Sequence, residues 1–146
     1  DPFMQTPRFM QRDEVSLQSL YEHNYWLFRL VLPQPPEDDG WYLLRAPQRA
    51  ALYLRCTGRH AYTSEWLLGH FYPTRQQRRF APDYRIRVYH DARLAEAMLD
   101  ADLPVRALRA AKRAQNRALA EWLDYCRRHQ YRLDGATQTA PLLDSA

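Results

Sequence analysis

The sequence predicts an α+β fold in two layers: an N-terminal helix, a four-stranded antiparallel meander and a long C-terminal helix. Apolar residues recur at helical spacing near both ends of the chain. Between them lie four runs with the two-residue alternation of half-buried strands. The connections are too short for parallel crossovers, so neighbouring strands are expected to be antiparallel. The length of 146 residues fits one domain, which we assign to residues 4–133.

The first helix is predicted over about residues 14–32. Asp13 or Ser16 is suited to cap its start, and Pro33 ends it because proline cannot continue the hydrogen-bond ladder. The residues that recur on its apolar face are Leu17, Leu20, Tyr21, Asn24, Leu27, Phe28 and Val31. This face is expected to pack on the sheet.

Four strands are predicted next, with short interruptions. They cover residues 41–46, 50–57, 61–72 and 84–90, and a basic loop bounded by prolines fills residues 73–83. An antiparallel sheet of this kind buries one face under helices and leaves the other wet.

The segment 91–100 leaves two alternatives open. Its Ala, Leu, Glu and Met residues favour a helix, but Leu94, Glu96 and Met98 share the parity of a continued strand. The last helix is predicted over about 105–129, where no Gly or Pro interrupts the pattern. Residues 134–146 are expected to be a flexible tail, and we interpret residues 1–3, which precede Met4, as a cloning remnant.

Strand parity predicts a candidate ligand-binding face. In the second and fourth strands Tyr53, Arg55, Arg85, Arg87 and Tyr89 all point away from the predicted core. Rings stack on bases and guanidinium groups bind phosphates, so such a face suits an anionic ligand or a single-stranded nucleic acid. The alternative is a solvated face on which arginine stems shield the rings.

The charge balance agrees with an anionic partner. The chain has a net charge of +4 and only one lysine, Lys112, so arginine supplies nearly all of the basic charge. On the last helix Arg106, Arg109, Arg113 and Arg117 follow steps of three, four and four, which place them on one side. This stripe is either a ridge that tracks phosphates or the solvated face of the helix.

Catalytic signatures are sparse. The sequence contains no glycine-rich phosphate loop, GxSxG, HExxH or CxxC motif, and we expect no metal and no cofactor. His70, His90 and Asp91 are the residues to check for an acid–base or metal site. Adjacent strand residues face opposite sides, so we expect His90 at the core rim and Asp91 to cap a following helix.

The cysteines and the absence of a long apolar run bear on the compartment. Cys56 and Cys126 fall on predicted core faces and form no disulfide framework, which is typical of buried thiols in a reduced compartment. No run approaches the roughly 20 apolar residues of a membrane span. We therefore expect a cytoplasmic protein that does not bind membranes.

Three blocks resemble a known family. They are "YEHNYWLFRLVLP" at 21–33, "RIRVYHDARLAE" at 85–96 and "EWLDYCRRH" at 121–129. Together they are similar to the YqiB-like proteobacterial proteins of unknown function, over about residues 17–129. The resemblance implies a small cytosolic bacterial protein and supplies no accepted activity or catalytic residue. The chain departs from it between Asp100 and Arg113, where relatives carry a longer polar stretch.

Two functions follow from these observations. The first is a non-catalytic binding or adaptor domain whose arginine and aromatic surface binds an anionic ligand, RNA or a protein partner. The alternative is a small hydrolase for a nucleotide-like substrate, with a pocket near His70, His90 and Asp91. The sequence leaves the oligomeric state open, and a homodimer remains compatible with it.

Overall fold

The computed structural model describes residues 15–73, 75, 78–99 and 102–137. In this part of the chain it contains two helices and a six-stranded antiparallel sheet, which confirms the α+β class. Helix α1 spans Leu17–Val31 and helix α2 spans Val105–Arg128. The strands are β1 (Trp41–Arg45), β2 (Leu52–Arg59), β3 (Thr63–Pro73), β4 (Arg78–Tyr89), β5 (Leu94–Ala97) and β6 (Arg132–Thr137).

The sheet has the order β5-β4-β3-β2-β1-β6, and every neighbouring pair is antiparallel. The predicted four-stranded meander is present as β1 to β4, but the described sheet has six strands, two more than predicted. A fifth strand extends the meander at one edge, and β6 returns after α2 to pair with β1 at the other. The predicted flexible tail from residue 134 therefore begins inside a strand, and residues 138–146 lie outside the described part.

The ambiguous segment after β4 is a hairpin rather than a helix. A turn at residues 90–93 contains Arg93 with φ of 57°, and β5 then pairs with β4. The expectation that Asp91 caps a helix is therefore wrong. Ala95 and Ala97 of β5 are buried, and their small side chains let α1 pack closely on this edge.

Strand β4 starts earlier than the sequence indicates. It begins at Arg78, inside the predicted basic loop, because its first residues pair along the whole end of β3. The register shifts where Leu68 faces Tyr84 and Gly69 faces Pro82. Asp83 is the additional residue of this β-bulge, and such bulges change the direction of nearby side chains.

Both helices pack on the same face of the sheet. The ring centroids of Phe28 on α1 and Trp66 on β3 are 6.0 Å apart, and those of Trp122 on α2 and Tyr84 on β4 are 5.6 Å apart. The core face includes the fully buried residues Leu44, Leu54, Trp66, Leu68, Ile86 and Val88. Cys56 and Cys126 are also buried as free thiols, which confirms the prediction for both.

Local capping and one buried polar contact fix the helices. Ser16 caps α1, because its hydroxyl accepts a 3.0 Å hydrogen bond from the Ser19 main-chain N–H. The buried Asn116 side chain accepts from Asn24 Nδ2 at 3.2 Å and from the Ala97 main-chain N–H at 2.8 Å. Asn116 thereby joins α2 to α1 and to β5. Neither of the described helices is both long and apolar enough to span a membrane.

Candidate functional site

We use the term open face for the side of the sheet opposite the two helices. Within the described residues no helix lies over it, and β5 extends it at the edge instead of covering it. All five predicted ligand-binding residues share this face. Arg55 and Arg85 are exposed, whereas Tyr53, Arg87 and Tyr89 are half-buried. Strand parity therefore places all five on one side of the sheet. Tyr53 faces Gly69 and Tyr89 faces Thr63, six residues apart on β3, so the two tyrosines lie at opposite ends of this face.

An aromatic cluster occupies the β1–β3 half of the open face, formed by Trp41, Tyr53 and Phe71. The rings of Tyr53 and Phe71 meet edge to face with centroids 4.6 Å apart, and those of Trp41 and Phe71 are 6.0 Å apart. Gly69 lies opposite Tyr53 in the β2–β3 register, so no side chain separates Tyr53 from Phe71. The cluster is a rigid apolar surface beside a cation.

Arg55 provides that cation. It pairs with Trp41 in the β1–β2 register, and its guanidinium carbon lies 5.6 Å from the Trp41 ring centroid. A cleft of about 610 Å³ lies next to it, lined by Asp39, Arg55, Cys56, Thr57, Gly58 and Arg59. Arg59 is held in place because it donates a 2.6 Å hydrogen bond to the Pro36 carbonyl. A cation beside both a ring cluster and a cleft suits a planar anionic ligand.

Arg87 has a different environment from Arg55. It faces Glu65 in the β3–β4 register and donates to Glu65 Oε1 from Nη2 at 2.7 Å and from Nε at 3.0 Å. This hydrogen bond is the main cause of the raised pKa of Arg87. Towards β5, the Tyr89 hydroxyl donates a 2.6 Å hydrogen bond to Glu96. A phosphate at Arg87 has to compete with Glu65, so Arg87 is a weaker anion-binding candidate than Arg55.

His90 is an exposed residue at the start of the turn after β4, and its ring reaches back to a buried residue of β3. Its Nε2 is 2.8 Å from the hydroxyl of buried Ser64, and that hydroxyl accepts a 2.7 Å hydrogen bond from Trp66 Nε1. In the neutral tautomer that leaves Nε2 unprotonated, the His90 ring can accept the Ser64 proton. Burial lowers the pKa of His90 and so favours this neutral form. Asp91 is exposed in the adjacent turn.

His70 belongs to a separate pair. Its Nδ1 lies 3.0 Å from Oδ2 of Asp83, the bulge residue of β4. His70 and Ser64 are six residues apart on β3, which separates them by roughly 20 Å at the rise of an extended strand. His70 and His90 therefore do not share a pocket. No group of three or more His, Cys, Asp or Glu side chains suited to a metal ion is found among the described residues.

Sequence reasoning missed Trp41 and Phe71 as members of the candidate site. Both have the outward parity of their strands, and this signal was available. Their contact depends on the register of β1, β2 and β3 and on the position of Gly69, which alternation alone does not give.

Comparison with known proteins gives a single result. A family model described as a protein of unknown function (DUF1249) matches residues 27–132. No curated protein and no solved structure matches the chain. The match agrees with the expected family of unknown function, while the narrower YqiB-like assignment and the proteobacterial origin stay predictions.

Proposed function

The chain belongs to the DUF1249 family, whose function is not known, and we propose that it is a non-catalytic domain that binds single-stranded RNA on the open face. The observation that carries the proposal is the contact of Arg55 with the aromatic cluster of Trp41, Tyr53 and Phe71. Bases stack on such rings, and a neighbouring guanidinium binds the phosphate that links them.

The charge of the open face supports an anionic ligand of modest charge. Arg55 and Arg85 are exposed there, and Arg87 is half-buried beside Glu65. Two guanidinium groups that each bind one phosphate predict a log–log slope of affinity against salt of roughly −1.4 for a single strand. The cleft beside Arg55 offers space for a sugar or phosphate next to the stacked base.

The nucleotide hydrolase has weaker support than the binding domain. Its three residues lie at two separate places, because His70 pairs with Asp83 and His90 pairs with Ser64. Ser64 is only 3% exposed and its hydroxyl already accepts from Trp66, so it is poorly placed to attack a substrate.

The test is fluorescence anisotropy with a labelled RNA strand of about 12 nucleotides, over salt concentrations of about 50 to 200 mM. The double variant Arg55→Gln/Arg85→Gln should bind more weakly and with a flatter salt dependence than wild type. A matched control, Arg93→Gln/Arg127→Gln, removes the same charge from the β4–β5 turn and the last turn of α2. Equal binding by both variants would contradict the proposal and leave a protein-interaction role as the better account.

A further inference from the structure

Helix α2 carries a concentrated basic surface on the helix side of the molecule. Between residues 105 and 120 it has five basic residues and no acidic residue, whereas the whole chain has an excess of only +4. Four of the five, Arg106, Arg109, Arg113 and Arg117, form the arginine ridge. At the rise of an α-helix the ridge is about 16 Å long. Its field is therefore larger than the net charge of the protein suggests.

The ridge borders a shallow groove. The groove has a volume of about 460 Å³ and is lined by Arg106, Arg109, Ala110, Arg113, Ala114 and Arg117. The two alanines form a low floor between the guanidinium groups, so a ligand can approach the helix backbone closely. Among the described residues no carboxylate lines the groove, and four arginines do.

The ridge is unfavourable for the helix by itself. Like charges at steps of three and four repel one another, and Arg106 and Arg109 also lie near the positive end of the helix dipole. The first turn contains no acidic residue, and Pro104 provides no side-chain cap. Arg113 does have a structural contact, since it donates to the Val15 carbonyl. Arg106 and Arg109 are exposed, and an anionic partner would offset their repulsion.

We infer that the arginine ridge is a second polyanion-binding surface, which binds the phosphate backbone of duplex nucleic acid independently of base sequence. The described lining of the groove contains guanidinium groups and no aromatic ring, so it offers donors for phosphates and no platform for unstacked bases. A duplex presents its phosphates at regular spacing along a rigid track, which suits a straight helical ridge.

A membrane surface fits the ridge less well. A helix that lies on a bilayer inserts its apolar face into the lipid. The apolar face of α2 is instead packed in the core, where Leu119, Leu123 and Cys126 are fully buried. The ridge lies on the helix side of the sheet, so this inference does not depend on the proposed function of the open face.

The test uses the intact protein, a labelled DNA duplex of about 20 base pairs, and vesicles that contain phosphatidylserine. Arg106→Gln/Arg109→Gln should lower the affinity for the duplex and reduce the magnitude of the salt slope by roughly 1.8, since two phosphate contacts are lost. The Arg93→Gln/Arg127→Gln control should keep most of the affinity for the duplex and most of the salt dependence. The open-face variant Arg55→Gln/Arg85→Gln should retain duplex binding, which separates this inference from the proposed function.

A second variant protects the test against a folding defect. Arg106→Glu/Arg109→Glu places acidic residues in the first two turns of α2, near the positive end of the helix dipole, so the variant should fold at least as stably as wild type and lose duplex binding. Retained duplex binding in this variant, equal loss in the control, or ridge-dependent binding to vesicles without binding to the duplex would each overturn the inference.

Discussion

The hydroxyl of Ser64 lies 2.8 Å from Nε2 of His90, and it receives a hydrogen bond from Trp66 on its other side. Because the indole N–H can only donate, the Ser64 hydroxyl keeps its own proton to donate, and a neutral His90 ring with an unprotonated Nε2 can accept it. The chain Trp66–Ser64–His90 therefore links the buried centre of β3 to the turn after β4. Both hydrogen bonds of this chain can form when the His90 imidazole is neutral.

This arrangement predicts that stability falls below the usual pKa of histidine. Burial lowers the pKa of His90 most, Arg29 and Arg59 lower it further, and Asp91 acts in the opposite direction. The contribution is complete above about pH 6.5, where both the folded and unfolded forms are neutral. As the pH falls below that value, the unfolded chain binds the proton first, and stability is lost until the lowered folded-state pKa is reached.

Urea unfolding at about pH 7.5 and pH 5.5 measures the effect. The variant His90→Gln keeps a neutral acceptor for Ser64 and should lose less stability than wild type over this range. The exposed His60→Gln is the matched control and should behave as wild type does. Identical pH dependence of wild type and His90→Gln would exclude His90 as the source.

Asn116 is predicted to be essential for the joint between the two helices and β5. Its oxygen accepts from Asn24 and from the Ala97 main chain, and all of these groups are buried. Asn116→Ala leaves the buried Ala97 N–H without an acceptor, and Asn24 Nδ2 keeps only its 3.4 Å contact with the main-chain carbonyl of residue 116. The substitution should lower the free energy of unfolding by roughly 1–3 kcal/mol. Gln115→Ala, at the neighbouring and partly exposed position, should cost well under half as much. Chemical denaturation of both variants measures the two free energies of unfolding. Equal losses in the two variants would contradict the role of Asn116.

Trp41 is predicted to be the main stacking residue of the open face. Trp41→Leu should weaken binding of a short single-stranded RNA by roughly 1–3 kcal/mol, the range for loss of one stacked base. Trp26 is a matched control, since it is 56% exposed on α1, away from the open face. Trp26→Leu should bind as wild type does. If the two variants weaken binding equally, the site is not where we place it.

The two thiols are predicted to be unreactive in the native protein. Burial is the main reason that the pKa of Cys126 is raised to about 12, so almost none of it is the reactive thiolate at neutral pH. Cys56 is 5% exposed, and its thiol contacts the Gly58 carbonyl at 3.3 Å. A chromogenic disulfide reagent should label both slowly in buffer and rapidly in denaturant. Fast labelling of either residue without denaturant would show an open state that the structure lacks.

The meander and both helices were predictable because their signals are local. Helical spacing between Leu17 and Val31 and alternation in β2 and the end of β4 are visible within a few residues. For the same reason, the five predicted open-face residues fall on one side of the sheet. In these elements the local sequence favours the same secondary structure that the packed fold requires.

The two missed strands depend on distant partners. The sequence of β5, Leu-Ala-Glu-Ala, favours a helix, but pairing with β4 and packing of α1 on Ala95 and Ala97 outweigh that preference. In β6, Asp134-Gly135 resembles the start of a loop, and Gly135 has φ of 94°. Its pairing partner, β1, precedes it by about 90 residues, so no local pattern indicates the contact.

The position of β6 has a consequence for the protein during its synthesis. Strands β1 to β5 and α1 leave the ribosome first and can pair with their neighbours in sequence as they emerge. The outer edge of β1 has no partner until Arg132–Thr137 has been translated, after the whole of α2. For that interval the nascent chain exposes an unpaired strand edge, the surface through which chains add to one another in aggregates. Slow translation before residue 132 should therefore increase the demand for chaperones.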